Sequence, residues 1–593
     1  MVNIVINGKS IAVPDGSTIL EAAALAKIEI PHLCYLKDLN EIGACRLCCV
    51  EVEGEDRLIP ACDNVVREGM VITTNSPKVK NAVRMNLELI LSRHKTECTS
   101  CVRSGNCRLQ TLANDYNLSG TTYQPVSGGI ERAEWDSQYP IIRDAGKCIR
   151  CLRCVQVCDK VQGLHVWELL GTGNKARVGV SGNRAIGAVD CAQCGQCITH
   201  CPVGALRERD DTDRVMRALA NPDVVTVAQI APAVRTGYAE LLGLKPEEAT
   251  VEKLAGALKM MGFDYVFDTC FTADLTIMEE GSELLRRLQA GELKKYPMFT
   301  SCCPGWVRFV KSQYPELVPQ LSTAKSPQQM FGALTKSYFA EKMGIEPSKI
   351  VCVSIMPCTA KKGEAELPEM KNKEGIPDVD IVLTTRELMR MFKAEGVSLK
   401  DVGEKPFDTL LGDYTGAGVI FGTTGGVMEA ALRSAYFLVT GKNPEADAFS
   451  AVRACEFTDA GVSYCSEDGD SACFREATYD LAGTPVRVAV TSGLANTRKL
   501  LDAILRGGVS YEFVEIMACP GGCSGGGGQI IHCDDAERGM ARGDVLRKLD
   551  ASSRIRFSHE NSDVQKLYED WLGKPGSEKA EEYLHVGRLS RSH

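Results

Sequence analysis

Apolar and polar residues alternate from Val2 to Ile6, and again from Lys9 to Val13 after Asn7-Gly8. A period of two is that of a half-buried strand, and Asn-Gly between two such runs predicts a tight hairpin. Ser17 to Ala26 reads as a short helix capped by Ser17 or Thr18, with Glu21 close behind. These elements predict a small β-rich domain over residues 1–80. From about Asp223 the pattern changes to short apolar runs alternating with helical stretches. Val224–Ile230 ends at Ala231-Pro232-Ala233, Pro297–Ser301 precedes Cys302-Cys303, Ile350–Met356 precedes Cys358, and Glu512–Met517 precedes Cys519. Cysteines just beyond strand ends predict one α/β sheet whose carboxyl edges converge on a site. Asp274 to Leu288 reads as a helix that sets Glu280, Glu283 and Arg287 on one face at i, i+3 and i+7. An exposed helix could carry the same row as plain solvated charge.

At 593 residues the chain has room for about three to five domains. Its 68 Lys and Arg against 77 Asp and Glu give a net charge of −9, which argues against nucleic acid as a partner. No apolar run has the length of a membrane span. The alternating start lacks the charged and apolar regions of a signal peptide, and no twin-arginine signal is present. With 27 cysteines in ligand patterns, a reducing compartment is expected, and hence a cytoplasmic protein.

The cysteine spacing carries the chemistry. Cys148, Cys151, Cys154 and Cys158 form one C-x2-C-x2-C-x3-C run, and Cys191, Cys194, Cys197 and Cys201, closed by Pro202, form a second. In a two-cluster ferredoxin the fourth Cys of each run ligates the other cluster. That rule assigns Cys148, Cys151, Cys154 and Cys201 to one 4Fe-4S cube and Cys191, Cys194, Cys197 and Cys158 to its neighbour. Structural zinc uses paired C-x2-C motifs across a longer spacer and fits poorly. Cys34, Cys45, Cys48 and Cys62 are four thiolates able to hold a 2Fe-2S cluster, although their spacing departs from the plant type. Cys49 reads as a packed thiol. His94, Cys98, Cys101 and Cys107 follow as H-x3-C-x2-C-x5-C. A lone His is usually a surface or core residue, but this one precedes a three-Cys run lacking a fourth ligand. A neutral imidazole there makes the cluster less negative and raises its potential. Asn117 to Gly129 reads as a connector. Arg143, Lys147, Arg150 and Arg153 interleave with the first ferredoxin run, either as a solvated face or as a surface steering an acidic redox protein.

The N-terminal ligand patterns resemble those of iron-only hydrogenases and of the large iron–sulfur subunit of respiratory NADH dehydrogenase. Three further motifs, Thr300-Ser-Cys-Cys-Pro-Gly-Trp306, Met356-Pro-Cys-Thr-Ala-Lys-Lys362 and Glu515-Ile-Met-Ala-Cys-Pro-Gly-Gly-Cys523, are similar to the three signatures of iron-only (FeFe) hydrogenases. The resemblance covers nearly the whole chain. It implies a multidomain α+β and α/β protein: a β-grasp 2Fe-2S domain over 1–80, a small His/Cys cluster domain over 81–120, a two-cluster ferredoxin domain over 121–215, and a large α/β H-cluster domain with a C-terminal helical segment over 216–593. It implies that Cys303, Cys358, Cys519 and Cys523 hold a 4Fe-4S cube, bridged through Cys523 to a diiron unit with CO, cyanide and azadithiolate. That composite is the H-cluster, which makes and splits dihydrogen reversibly. Together with one 2Fe-2S and three accessory 4Fe-4S clusters the load is about 20 irons.

The resemblance further implies a proton relay through Cys302, Glu280, Ser322, Glu283 and Arg287. A thiol suits the first step because its pKa, unlike that of a Ser hydroxyl, can be tuned toward neutrality. Lys361 resembles the lysine that bonds a cyanide ligand, the anion that would compensate its buried charge. Pro232, Ala233, Ser326 and Gln328 would complete the surroundings, Met356 and Met517 would shape apolar walls, and Glu364 would orient its neighbours. Cys270 stands where the family is expected to have a non-thiol residue. Cys455, Cys465 and Cys473 sit in an apparent insertion with spacings typical of no cluster. Ile530 replaces a common Pro. Gly521 to Gly528 lacks the Lys-Ser/Thr of a P-loop, and Gly416-Ala-Gly418 has no third Gly, so no NAD or flavin site is expected. The expected partners are ferredoxin, or flavin- and NAD(P)-binding subunits of a multimeric hydrogenase, together with the maturation enzymes. The rival readings are a pure electron-transfer subunit, a hydrogen sensor and an iron–sulfur assembly factor. The first has no need of Cys302, Lys361 and the Cys519/Cys523 pair together.

Overall fold

Val2–Ile6 (β1) and Lys9–Val13 (β2) pair antiparallel about a turn in which Asn7 (φ 50°) and Gly8 (φ 78°) are both left-handed. That is the backbone a two-residue hairpin needs to match strand twist. The structure, a computed structural model, describes residues 1–118, 120, 123, 134–242, 244, 249–445, 447–453, 474–533 and 537–587. Most of the connector expected from Asn117 to Gly129, and all of Cys455, Cys465 and Cys473, lie outside the described residues. Cys49–Val52 (β3), Ile59–Pro60 (β4) and Val71–Thr73 (β5) complete a sheet of order β2-β1-β5-β3-β4, with β1 and β5 parallel. The helix Ile19–Leu25 is capped by Thr18 rather than Ser17, with Glu21 returning the bond to the Thr18 amide. It packs Ile19, Ala22 and Ala23 on Ile4, Ile6 and Ile72, a β-grasp core.

The helix Pro77–Leu91 starts at a Ser76 cap with Pro77 in its first turn, and buries Val79, Val83 and Leu87 at a spacing of four. That stripe joins Leu109, Tyr139, Ile141 and Trp167 in one core, so the His/Cys segment and the ferredoxin segment pack as one body. Ile141–Arg143 (β6) pairs with Leu206–Glu208 (β9), and Trp167–Leu170 (β7) with Arg177–Val180 (β8), all antiparallel.

The remaining strands are Val225–Ile230 (β10), Tyr265–Asp268 (β11), Met298–Phe299 (β12), Ile350–Met356 (β13), Ile381–Thr384 (β14), Phe474–Leu481 (β15), Thr484–Ser492 (β16) and Phe513–Met517 (β17). They form two sheets, not the single one expected. One is all parallel in the order β11-β10-β13-β14, and the other runs β12-β17-β16-β15 with β15 antiparallel at its edge. Apolar periodicity identifies a strand but not its neighbour. The register Met298↔Phe513 and Val488↔Phe513 ties β12 and β17 to β16, away from β10 and β13. The helix Cys270–Gln289 begins before the expected Asp274 and buries Glu279, Glu280, Glu283 and Arg287, so its charged row is not a solvated face. Among the described residues no helix is long and apolar enough to cross a membrane.

Candidate active site and cluster-binding residues

Local loops gather the accessory cysteines. Cys34 is in contact with Cys45 and Cys62, Cys62 is in contact with Cys48, and the Cys45 amide donates to Cys34 Sγ at 3.5 Å. The Cys45 and Cys62 thiols, donating to Cys34, pull its pKa down against burial. Cys49 instead turns to the Arg46 carbonyl, 3.1 Å away. Cys148, Cys151, Cys154 and Cys201 line one cavity with Leu152, Trp167 and Leu206. Cys158 lies among Cys191, Cys194 and Cys197, each of which feels its charge or lends it theirs. Burial raises the Cys151, Cys154 and Cys201 thiols of the first group and the Cys158, Cys191, Cys194 and Cys197 thiols of the second, Cys158 to about 12. Buried thiols that resist ionisation so strongly fit a cationic iron–sulfide core, which would compensate four thiolates at once.

His94 Nδ1 lies 2.9 Å from the Lys147 carbonyl oxygen. A carbonyl only accepts, so Nδ1 carries the proton and Nε2 keeps a lone pair, the tautomer a metal ligand needs. Burial lowers the His94 pKa and keeps the ring neutral. Cys101 of the same run sits against Gly204, where an added Cβ would come within 2.6 Å of its sulfur. The four cations near this run do not form an open basic patch. Arg153 is buried and donates to the Cys34 carbonyl (3.2 Å) and the Tyr35 carbonyl (2.8 Å). Arg143 bonds the Val178 carbonyl and lies over Trp167, while Lys147 pairs with Asp144 at 3.6 Å. Arg150 is half-buried, which lowers its pKa. Ligand loops this short turn their intervening side chains inward, which spacing alone does not reveal.

The catalytic candidates meet between the two sheets. Cys303 follows β12 at the start of the helix Pro304–Gln313, Cys358 follows β13, and Cys519 and Cys523 follow β17 through left-handed Gly521 and Gly522. Together with Cys302 they line a cavity of about 80 Å³ whose walls include Pro232, Ala233, Gln328, Met356, Lys361 and Met517. Ser326 stands behind this wall, donating to Glu364. The structure adds Thr269, Phe421 and Gly422 to the lining, positions for which no motif gave a signal. The glycine run is a seat. A Cβ at Gly526 would lie 2.2 Å from the Pro357 carbonyl, and one at Gly527 only 2.1 Å from that of Cys194. The loop therefore presses on the end of β13 and on the second ferredoxin run, and Cys519 Sγ comes within 3.8 Å of the Cys194 carbonyl. Four thiols around a mostly apolar cavity, with one ammonium in its wall, fit a thiolate-bound cluster carrying an anionic unit.

Two observations refine the expectations about this cavity. Lys361 already has an anionic partner: its Nζ lies 2.8 Å from Glu364 Oε2 and 3.0 Å from the Cys302 carbonyl oxygen. Burial alone would lower its pKa, but Glu364 and the nearby thiols outweigh it and keep it cationic. Glu364 also accepts from Ser326 at 3.0 Å and Gln328 at 3.1 Å, so one carboxylate orients three side chains. The Cys302 thiol is not tuned toward neutrality. Burial first, then Glu280 and Cys303, push it well above an ordinary thiol.

Beyond Glu280 the carboxylate of Glu283 accepts from Ser322 Oγ and the Thr323 amide, both at 2.9 Å, and from Arg287 at 2.5 Å. Burial raises the Glu283 pKa, yet Arg287 and these donors hold it below the usual range. Arg287 is buried and cannot give up a proton, so it fixes Glu283 rather than carrying one onward. Sequence reasoning missed what packs over this helix from the C-terminal segment. Tyr568 Oη, the Gly576 amide and His585 all reach Glu279, at 2.5, 2.9 and 3.0 Å. The one available hint was a third carboxylate beside Glu280.

The chain matches the family described as iron only hydrogenase large subunit, C-terminal domain, over residues 224–527, and iron hydrogenase small subunit over 536–587. Ahead of these it matches a 2Fe-2S iron-sulfur cluster binding domain over 1–77, the NADH-ubiquinone oxidoreductase-G iron-sulfur binding region over 84–121 and a 4Fe-4S dicluster domain over 147–205. It is 45% identical to the NADP-reducing hydrogenase subunit HndD of Solidesulfovibrio fructosivorans, across 100% of this chain and 99% of the relative. It is 37% identical to iron hydrogenase 1 of Clostridium pasteurianum, across 99% of each. Among solved structures, a variant of the apo [FeFe]-hydrogenase HydA1 from Chlamydomonas reinhardtii aligns with a TM-score of 0.53 at 41% identity, covering 64% of this chain and 98% of that one.

Proposed function

The chain belongs to the iron-only hydrogenases, and we propose that it interconverts dihydrogen with two protons and two electrons and acts as the catalytic subunit of a multimeric, NAD(P)-linked hydrogenase. The observation that carries the catalytic reading is the convergence of Cys303, Cys358, Cys519 and Cys523 with Cys302 and Lys361 on one cavity. An H-cluster held there would supply the metal chemistry of making and breaking the H–H bond. The chain's own residues do the rest. Lys361, held by Glu364, presents a fixed positive charge to the cavity. The apolar walls from Pro232, Ala233, Met356 and Met517 exclude water. Cys302 holds a proton at its sulfur, and Glu280, Ser322 and Glu283 pass it on beside the helix Cys270–Gln289. In this reading one 2Fe-2S and three accessory 4Fe-4S clusters, on the cysteines and His94 assigned above, relay the electrons. The number of thiols reserved for metal favours the reducing cytoplasm.

Two things support the multimeric form: full-length similarity to a subunit named for NADP reduction, and the lack of a dinucleotide fingerprint in this chain. A stand-alone, ferredoxin-linked enzyme is the second reading, supported by the equally full-length likeness to iron hydrogenase 1. The infrared spectrum of the matured protein tests the catalytic part, with CO and cyanide bands expected. Their absence after maturation by the dedicated enzymes overturns it. Purified alone, the chain should reduce a viologen with dihydrogen and leave NAD(P) untouched. Direct NAD(P) reduction refutes the multimeric reading, whereas co-purification of flavin-containing subunits from the native host supports it.

A further inference from the structure

The buried acids of the helix Cys270–Gln289 share a partner that no motif announced. His585, from the C-terminal segment, lies with Nε2 3.0 Å from Glu279 Oε2 and Nδ1 2.9 Å from Thr323 Oγ1. The amide of Thr323 donates to Glu283 Oε2 at 2.9 Å, so one residue touches both the histidine and the relay carboxylate. Backbone pairing fixes this arrangement: Ala324 bridges to His585, the Val586 amide donates to the Thr323 carbonyl, and the Lys325 amide to that of Leu584. The groups at the imidazole are Glu279 on the relay helix and Glu581 on its own helix at 3.9 Å, itself paired with Arg286, while Glu283, paired with Arg287, is reached through Thr323 and feels the charge of His585. Tyr568 reaches it only through Glu279, and the Lys325 ammonium is held by Asp378.

We propose that His585 is a positioning residue of the proton relay, whose charge sets the pH at which Glu283 changes protonation state. The hydrogen bonds permit both charge states. With the ring neutral, Nε2–H donates to Glu279 and Nδ1 accepts from the Thr323 hydroxyl. A proton added at Nδ1 reverses the second bond, since the hydroxyl oxygen also accepts. No heavy atom has to move. The imidazolium then attracts the Glu283 carboxylate in a site shielded from water, and the charge of His585 is among the influences that lower the Glu283 pKa. A carboxylate must be ionised to accept the proton released during dihydrogen oxidation. The acid side of the pH profile therefore follows Glu283, and His585 places it.

The inference rests on the reading of Glu283 as part of the relay. His585→Gln keeps a donor for Glu279 and an acceptor for Thr323 while removing the charge. In the matured holoprotein it should move the acid limb of dihydrogen-driven viologen reduction upward by about one pH unit, the scale of one partly shielded charge. The carboxylic C=O infrared band of Glu283, identified by its loss in Glu283→Gln, should shift its titration midpoint by the same amount without reference to turnover. A profile and a band midpoint that both coincide with the parent overturn the proposal. If His585→Gln does not accumulate folded, Thr323→Val replaces it, because that change removes the hydroxyl and leaves the Thr323 amide on Glu283. A shift then supports the role and coincidence refutes it. The two readings fail differently: normal turnover in Glu283→Gln refutes the relay itself, whereas lost turnover there with an unmoved band in His585→Gln refutes only the role of His585.

Discussion

Replacing Cys302 by serine changes one atom in the cavity wall and isolates the proton step. The contact Lys361 makes with residue 302 is to its carbonyl oxygen, 3.0 Å away, so the ammonium keeps its place in the variant. The first pKa is what changes. A free thiol titrates near 8.5, and a hydroxyl on saturated carbon near the 15.7 of water, a gap of about 7 units. Burial and the nearby Glu280 raise the Cys302 thiol, and they would raise an alkoxide similarly, so the gap survives in the protein. If about half of it enters the barrier, as Brønsted behaviour suggests, proton transfer slows by about three orders of magnitude, inside the range for a positioned acid or base. The assay is viologen reduction by dihydrogen on protein whose CO and cyanide infrared bands match the parent, which separates slow proton transfer from failed assembly. Turnover within about tenfold of the parent at matched loading would refute the assignment of Cys302 as first proton carrier.

Cys523→Ser should keep the accessory clusters and lose the diiron unit, read as absent CO and cyanide bands and about two fewer irons per chain; retention of those bands contradicts the bridging role. His94→Cys exchanges a neutral ligand for a thiolate and should lower the potential of that one cluster, measured by an EPR-monitored redox titration, and an unmoved potential removes His94 from the ligand set. Asp274, buried beneath Thr415, Ser558 and Asn561, has its pKa raised by burial to about 6 despite their hydrogen bonds. Its unfolded value is near 3.9, so its contribution to stability is complete below that pH. The contribution is lost as pH rises through about 6, on the order of 2–3 kcal/mol. The stability of the parent relative to Asp274→Asn, measured by thermal unfolding, should therefore fall from pH 4 to 7, and a flat difference refutes the assignment.

Much of this chain is legible because its chemistry is local. The C-x2-C spacing of Cys148, Cys151 and Cys154 brings three thiols to one point whatever surrounds them, and the crossover of Cys201 follows from the pairing of the two runs. The β1–β2 hairpin and the strand Ile350–Met356 agree with their apolar periodicity to the residue. What periodicity withholds is partnership across distance. Glu283 and Ser322 were brought together by resemblance to a family rather than by spacing. Thr323 and His585 are 262 positions apart, and no motif joins them. The identity of the charge facing Lys361 also required coordinates: Glu364 is three residues away, but only the helix Ala360–Ala365 sets it on the same face. The inward turn of Arg153 shows the same limit in reverse, since a charge beside a ligand reads as surface until the loop is seen packed.

The contacts between ligand loops suggest why so many centres share one chain. Asn40 Nδ2 donates to the carbonyls of both Cys34 (2.6 Å) and Cys151 (2.9 Å), and Arg153 adds its bonds to Cys34 and Tyr35. The first cysteine site is thus fixed to the Cys151 loop by buried donors. The His94 site enters elsewhere, with Cys101 against Gly204, close to Cys201 in sequence. Cys151 and Cys201 line the same cavity, so two separate N-terminal sites converge on one ferredoxin site. The other ferredoxin run continues to the catalytic cavity, where Gln196 Nε2 donates to the Gly525 carbonyl at 2.8 Å and the Cys194 carbonyl meets Cys519. The Asn40, Arg153 and Gln196 junctions join the backbone of ligand-bearing loops through buried or part-buried hydrogen bonds, which hold spacing more firmly than surface contacts can. A fork of this kind would let two different redox partners reach one catalytic centre without competing for one docking surface, an arrangement compatible with the multimeric form proposed above.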